Sequence, residues 1–316
     1  MNEIAAHQDS LKELIHRSYQ FFSEGSFEEA EQLLEQALGI DFDDGEVQSA
    51  LKCCHFWLSR KNRLFSLDDP FEKGEYLLKE WRVFDGFVRN FRENCDRGLM
   101  AIQRWVFGTA LSAYKLIPRS NEGLDREILF RIGKCYKGIG DYENALSLME
   151  MASQRKREDA EILAELADVY ALINEMKASK IFFREAFFLD PQKVDLVFLE
   201  SEMIRRLVRR LEEMGLQRPH LNEWIPVYGV VLGVFNVKRE LKTLEYGKLR
   251  QSIYSLENEV KSGQKDREEK IIPRLLNRYF WLIDHYLITN EPRQRIEEVL
   301  EKMKVLNNSI YEQYIQ

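Results

Sequence analysis

Apolar side chains recur along most of this chain at intervals of three and four, the period of a helix with one buried face. Trp81, Phe84, Val88 and Phe91 keep that spacing, as do Tyr246, Leu249, Ile253, Leu256 and Val260. A third stripe runs through Ile296, Val299, Met303, Leu306 and Ile310. The pattern predicts helices over Glu46 to Arg60, Phe71 to Arg92 and Arg97 to Ile117, with Asn62 to Pro70 as a loop after the first. Pro118 and the loop Ser120 to Gly123 close the third. Further on it predicts one helix over Val194 to Met214, a break around Gly215, Pro219 and Pro226, and a helix over Val237 to Lys261. A charged linker, Ser262 to Lys270, then precedes a helix over Ile271 to Ile288, with Pro273 near its start, where proline is tolerated. Asn290 and Pro292 announce the last helix.

Superimposed on the helical period is a longer one. Gly133, Tyr136 and Ala152 recur 34 residues later as Ala167, Tyr170 and Ala186, and the second copy closes with Pro191. In two antiparallel helices, small residues stand where the helices approach and large apolar residues fill the space around them, so the interval records packing. An older copy lies near the start. Phe21, Gly25, Phe27, Ala30, Leu34 and Ala37 match Tyr136, Gly140, Tyr142, Ala145, Met149 and Ala152, all at one offset of 115 residues. Three periods would make 102, so the stretch between holds about two irregular repeats and roughly 13 further residues.

These positions resemble the tetratricopeptide repeat, whose unit reads W-x2-L-G-x2-Y, then alanine, an aromatic and proline. Leu129, Ile132, Gly133, Tyr136, Ala145, Met149 and Ala152 stand at those places in one copy. Leu163, Leu166, Ala167, Tyr170, Ser179, Phe183, Ala186 and Pro191 stand there in the next. Leucine replaces the tryptophan in both. The resemblance covers about a third of the chain and implies an all-α fold, an α-α superhelix of stacked helix pairs. The expected organisation is a repeat array over 1–214, with clear copies near 11–44, 126–159 and 160–193 and irregular ones between 45 and 118. A connector over 215–236 and a C-terminal helical bundle over 237–316 follow. The degenerate repeats in a signal-free chain have a bacterial character.

Composition narrows the class. Of 316 residues 45% are hydrophobic and 31% charged, and only seven prolines and sixteen glycines interrupt them, which suits long helices and short loops. A net charge of −7 argues against non-specific nucleic-acid binding, which needs a basic surface. The start carries no basic and apolar leader, and the most apolar run, Ile225 to Val237, falls short of the roughly 20 residues of a membrane-spanning helix. Cys53, Cys54, Cys95 and Cys135 form no C-x-x-C pair, so buried reduced thiols and a cytoplasmic location are expected. Cys53, Cys54 and His55 lack a second ligand pair, so neither a metal nor another cofactor is expected. Gly138 and Gly140 fall in the turn between two repeat helices without a third glycine, and G-x-S-x-G, H-E-x-x-H and P-loop motifs are missing, which argues against an enzyme.

The resemblance implies a concave groove lined by the first helix of each pair. Its positions map to Ile15, Tyr19 and Phe22, to Phe130, Lys134 and Lys137, and to Ala164, Asp168 and Ala171. Aromatic and charged groups together suit a partner peptide or helix read for both, so a protein-protein interaction adaptor is the expected role. The family's well-known clamp on a C-terminal carboxylate needs asparagines where Lys134 and Asp168 stand, so that ligand is not expected. Three other surfaces stay open. Arg205, Arg206, Arg209 and Arg210 form a positive strip for an acidic partner, or for nucleic acid or phosphate in a regulator, unless Glu202, Glu212 and Glu213 neutralise it. Arg274, Arg278, Trp281 and His285 share one helix face, and the C-terminal stripe could pair with a second copy as a self-assembling scaffold. Gly229 and Gly233 would admit a close neighbour.

Overall fold

The fold is taken from a computed structural model over residues 2–91, 93, 95–118, 125–155, 158–262 and 265–316, with side chains from residue 8 onward apart from 265–268. The predicted loop Ser120 to Gly123 lies outside these residues. Among the described residues there are fifteen α-helices and no strand. They fall into two compact units, Met1–Met151 and Ala152–Gln316.

The first unit holds α1 (Asn2–Glu24), α2 (Phe27–Ile40), α3 (Gly45–Phe65), α4 (Pro70–Val88), α5 (Asp96–Lys115), α6 (Arg126–Gly138) and most of α7 (Tyr142–Arg155). Asp44 and Asp69 accept the backbone N–H groups of Val47 and Glu72 at 2.8 Å, which fixes where α3 and α4 begin. Helix α5 packs against α1, α4 and α6 and is the spine of the unit. Around it lies an aromatic core of Phe27, Phe56, Trp57, Phe84 and Trp105, with neighbouring ring centroids about 5 Å apart. Of the predicted stripe on α4, Phe84 is fully buried and Trp81, Val88 and Phe91 are half-buried at the core's edge.

The second unit holds α8 (Ala160–Leu172), α9 (Met176–Leu189), α10 (Glu202–Glu213), α11 (His220–Val231), α12 (Thr243–Lys261), α13 (Lys265–Ile288), α14 (Arg293–Leu306) and α15 (Asn308–Ile315). Its core has two parts. Leu163, Ala167, Phe183, Ala186 and Phe187 meet α10 and α11 in one, and α13 is wrapped by α12, α14 and α15 in the other.

The three repeat copies share a turn that the interval alone could not display. Gly25, Gly140 and Asn174 all have positive φ, at 78°, 88° and 67°. The next N–H in each returns to a carbonyl five residues back: Ser26 to Phe21, Asp141 to Tyr136 and Glu175 to Tyr170. This closure satisfies carbonyls left over at the helix end and needs a residue that tolerates the left-handed region. The same closure ends α10 at Gly215, with Leu216 N–H on the Leu211 carbonyl. Within the copy at 126–159, Gly133 lets the second helix come close. A Cβ there would lie 3.0 Å from Met149 Cγ and 3.4 Å from the Ala145 carbonyl.

Several expectations are corrected. The single helix over Val194 to Met214 is α10 alone, preceded by an extended and turning segment, 194–201. The connector over 215–236 contains α11, whose Leu221, Ile225 and Val227 are fully buried, and the two compact units divide after Met151. Proline misled the reading, because Pro226 sits inside α11. From Lys265 onward the charged linker is the start of α13, and Asn307 splits the last helix by capping α15 through Ile310 N–H at 3.0 Å. At Gly229 the close neighbour is the Phe235 ring, 2.2 Å from where a Cβ would stand, while Gly233 serves a positive-φ turn.

Candidate functional site

The nine groove positions come out almost wholly buried, each copy for its own reason. In α1, Ile15, Tyr19 and Phe22 are buried, and the helix packs against α2 and α5. The Tyr19 ring lies against Gly98 of α5, where a Cβ would meet it at 2.7 Å, and its hydroxyl donates to Glu46 Oε1 at 2.8 Å. Burial, together with the neighbouring Glu46 and cysteines, pushes that hydroxyl's pKa far up, so Tyr19 is a fixed neutral donor. Phe22 stacks between Tyr19 and Phe27.

In α6, Phe130, Lys134 and Lys137 are also buried, Lys137 to 1% exposure. Lys134 Nζ stands 5.2 Å over the Phe130 ring, a cation-π contact that joins two of the expected contact residues to each other. The outer side of the same helix carries Arg131, whose guanidinium clasps Glu75 of α4, and Tyr114 of α5 donates to the same carboxylate. Burial opposes ionisation of Glu75, but Arg131 and Tyr114 outweigh it and hold the carboxyl below its usual range.

In α8, Ala164 and Asp168 lie under the chain's own segment 194–201. Val194, Leu196, Phe198 and Leu199 are buried, and all but Phe198 share a core cluster with Leu163, Ala164 and Ala167. Asp168 accepts the N–H of Glu200 at 2.7 Å and of Ser201 at 2.8 Å. Those are amides at the entrance to α10, where a helix leaves N–H groups unpaired and its dipole favours a carboxylate. Ser201 makes no side-chain cap of its own, so the cap comes from another helix. The segment's other end is held by Asn222 of α11, whose amide donates to the Pro191 and Val194 carbonyls at 3.1 and 3.0 Å. Asn222 carries no periodic signal and was invisible in the sequence. Ala171 is half-buried.

The arginine strip forms on the exposed face of α10, and carboxylates partner three of its members. Arg206 and Arg209 both reach Glu202 at 2.7 Å, and Arg210 reaches Glu213 at 3.5 Å. Arg205 donates to the Leu199 carbonyl at 3.1 Å. Arg206, then Arg209, hold the Glu202 carboxyl below its usual range, the sign of a self-neutralised face.

The face of α13 is likewise spent internally. Arg274 pairs with the fully buried Glu223 at 2.6 Å and with Asp190 at 3.3 Å. Arg278 donates to the Phe188 carbonyl at 2.7 Å and lies 3.7 Å over that residue's ring. Burial, helped by Arg274, lowers its pKa to about 10. Trp281 is flanked by Arg184 and Arg239, and His285 stacks on Tyr246. The stripe of the last helices turns inward as well: Val299, Met303 and Ile310 are buried within the second unit.

Cys53 and Cys95 approach at 3.9 Å between sulfurs, Cys54 donates to the Phe27 carbonyl, and all four cysteines are buried and free. Among the described residues, no group of three or more His, Cys, Asp or Glu side chains could hold a metal, and no helix is long and apolar enough to cross a membrane.

Short turns between paired helices, small residues at the crossings and one closure repeated in three copies define a helical repeat protein. The family model described as tetratricopeptide repeat matches residues 127–159, the copy in which Gly133 meets Met149 and Ala145. Residues 127–159 are thus a tetratricopeptide-type unit within an all-α chain of successive packed helices. No curated protein matches it. Repeats of this class generally bind other proteins.

Proposed function

We propose that this protein is a non-enzymatic adaptor whose repeat helices seat extended polypeptide on their inner faces. The observation that carries the reading is the chain's own segment 194–201. It lies along α8 with apolar side chains in the repeat's core and two backbone N–H groups on Asp168. That is peptide recognition by main-chain capture plus apolar pockets, performed intramolecularly. The groove first expected is thereby narrowed. Its members in α1 are packing residues, Ala164 and Asp168 serve the segment, and Ala171 marks where a second polypeptide would enter.

A photo-cross-linking residue at Ala171 tests this in the protein's native cells, with the exposed outer position Lys177 as control. The reading expects one reproducible protein adduct from position 171 and none from position 177. Equal adducts from both positions, or adducts from position 177 alone, would overturn it.

A further inference from the structure

The second unit carries a different surface, independent of the repeat's inner face. Helices α12 and α14 both lie on α13, and between them runs a cleft in two chambers. The larger, of about 600 Å³, is walled by Val260, Ile272, Leu275, Val305 and Leu306. The smaller, of about 170 Å³, is walled by Ile253, Tyr254, Leu282, Tyr286 and Val299. A polar strap separates them: Lys302 and the Tyr279 hydroxyl both donate to Glu257 Oε1 at 2.8 Å. Each helix contributes to the two chambers from positions about seven residues apart, roughly 10.5 Å along a helix. Apolar side chains remain uncovered here, with Val305 87% and Tyr254 69% exposed.

The two banks differ in charge. On α12, Glu257 is held by the strap, while the exposed Arg250, which donates to the Tyr286 hydroxyl at 3.2 Å, and Lys261 form no salt bridge among the described residues. On α14, Lys302 belongs to the strap and Arg295 pairs with Glu291 at 2.9 Å, while Glu298 and Glu301 have no cationic partner among the described residues. One bank is basic and the other acidic. The occupant that such a cleft fits is a helix with an apolar stripe, an acidic flank and a basic flank, the arrangement by which paired helices choose partners. The chain's own stripes on α12, α13 and α14 are already buried against each other.

We propose that this cleft docks an amphipathic helix of another protein, through two apolar anchors seven residues apart that straddle the Glu257–Lys302 strap. The acidic flank of that helix lies along α12 and its basic flank along α14.

The test uses the full chain and fluorescein-labelled helical peptides of fifteen residues, read by fluorescence anisotropy. All carry leucines seven apart on alanine spacers. One has glutamates on one flank and lysines on the other, and two controls have both flanks alike. The split-flank peptide should bind about tenfold more tightly than either control, from four surface charge pairs against two. V305D should abolish binding, and R250E combined with K261E should shift the preference to the all-lysine peptide. These residues are exposed, so circular dichroism should show unchanged helix content. Equal affinity for the three peptides, no binding of any, or binding that survives V305D overturns the proposal. Self-association in sedimentation that V305D dissolves would also overturn it, by giving the cleft to a second copy. The cross-linking result at Ala171 is read separately, so either proposal can fail alone.

Discussion

Removing the Asp168 carboxylate is the most informative single perturbation of this fold. Asp168 is fully buried and accepts from Glu200 and Ser201 at 2.7 and 2.8 Å. Truncation to alanine takes the acceptor from both amides, that of the buried Ser201 and that of the half-buried Glu200. Each charge-assisted bond contributes about 1.5–3 kcal/mol, and deleting the charge also relieves its own desolvation. A net loss of about 3 kcal/mol in the second unit is therefore expected for D168A. D168N keeps one acceptor oxygen but presents an amide to the other N–H, and should lie between the two. The two units need not unfold together, so a single denaturation curve is a poor readout. Hydrogen exchange resolved to the amides of Glu200, Ser201 and the first turn of α10 reads the effect directly. Protection there should fall by about two orders of magnitude, with little change in α2 or α3. If D168A left the Ser201 amide as protected as before, the cap would be ornamental and segment 194–201 would be held by its apolar contacts alone.

Other perturbations follow from close contacts and charge. G98A forces a Cβ to within 2.7 Å of the Tyr19 ring and should cost about 1–3 kcal/mol by urea denaturation, a cost that should vanish in a Y19A background. F235A removes a ring fitted over Gly229 and against Phe183 and Phe187 at about 6 Å, and should cost about 4 kcal/mol, read as the unfolding midpoint of the second unit. The Glu75 carboxyl is depressed in the folded state, so its contribution is present above the ordinary value of 4.5 and is lost as pH falls through its lower folded value. E75Q should therefore flatten the decline in first-unit stability below about pH 5 while leaving R131K, which cannot clasp the carboxylate bidentately, intermediate. An unchanged acid profile in E75Q would show that Arg131 and Glu75 do not stabilise the fold.

Helix existence was legible because it depends on periodicity, which neighbours in sequence supply. The breaks were less so, since tertiary packing overrides local preference. Pro226 reads as a stop, yet α11 continues through it because Leu221, Ile225 and Val227 bury their side chains against other helices. The run Ser262 to Lys270 reads as a linker because its charges lack a stripe, yet α13 begins at Lys265. Conversely, Val194 to Leu199 has an apolar pattern good enough for a helix, but Asp168 and Asn222 hold its backbone from outside, and no local signal in 194–201 names either residue.

The candidate site failed to be legible for a different reason. The repeat interval names Ile15, Tyr19, Phe130, Lys134, Ala164 and Asp168 as inner positions, and all six are buried. Whether an inner side is open depends on what crosses it, and that is set by elements outside the period. Here α5, longer than a repeat helix, lies across α1, and segment 194–201 lies across α8. Both covers come from stretches where the interval is lost, so irregularity in this chain marks the places where the groove is filled. The proposed partner surfaces, the half-buried Ala171 and the α12–α14 cleft, could therefore be found only once the packing of these elements was known.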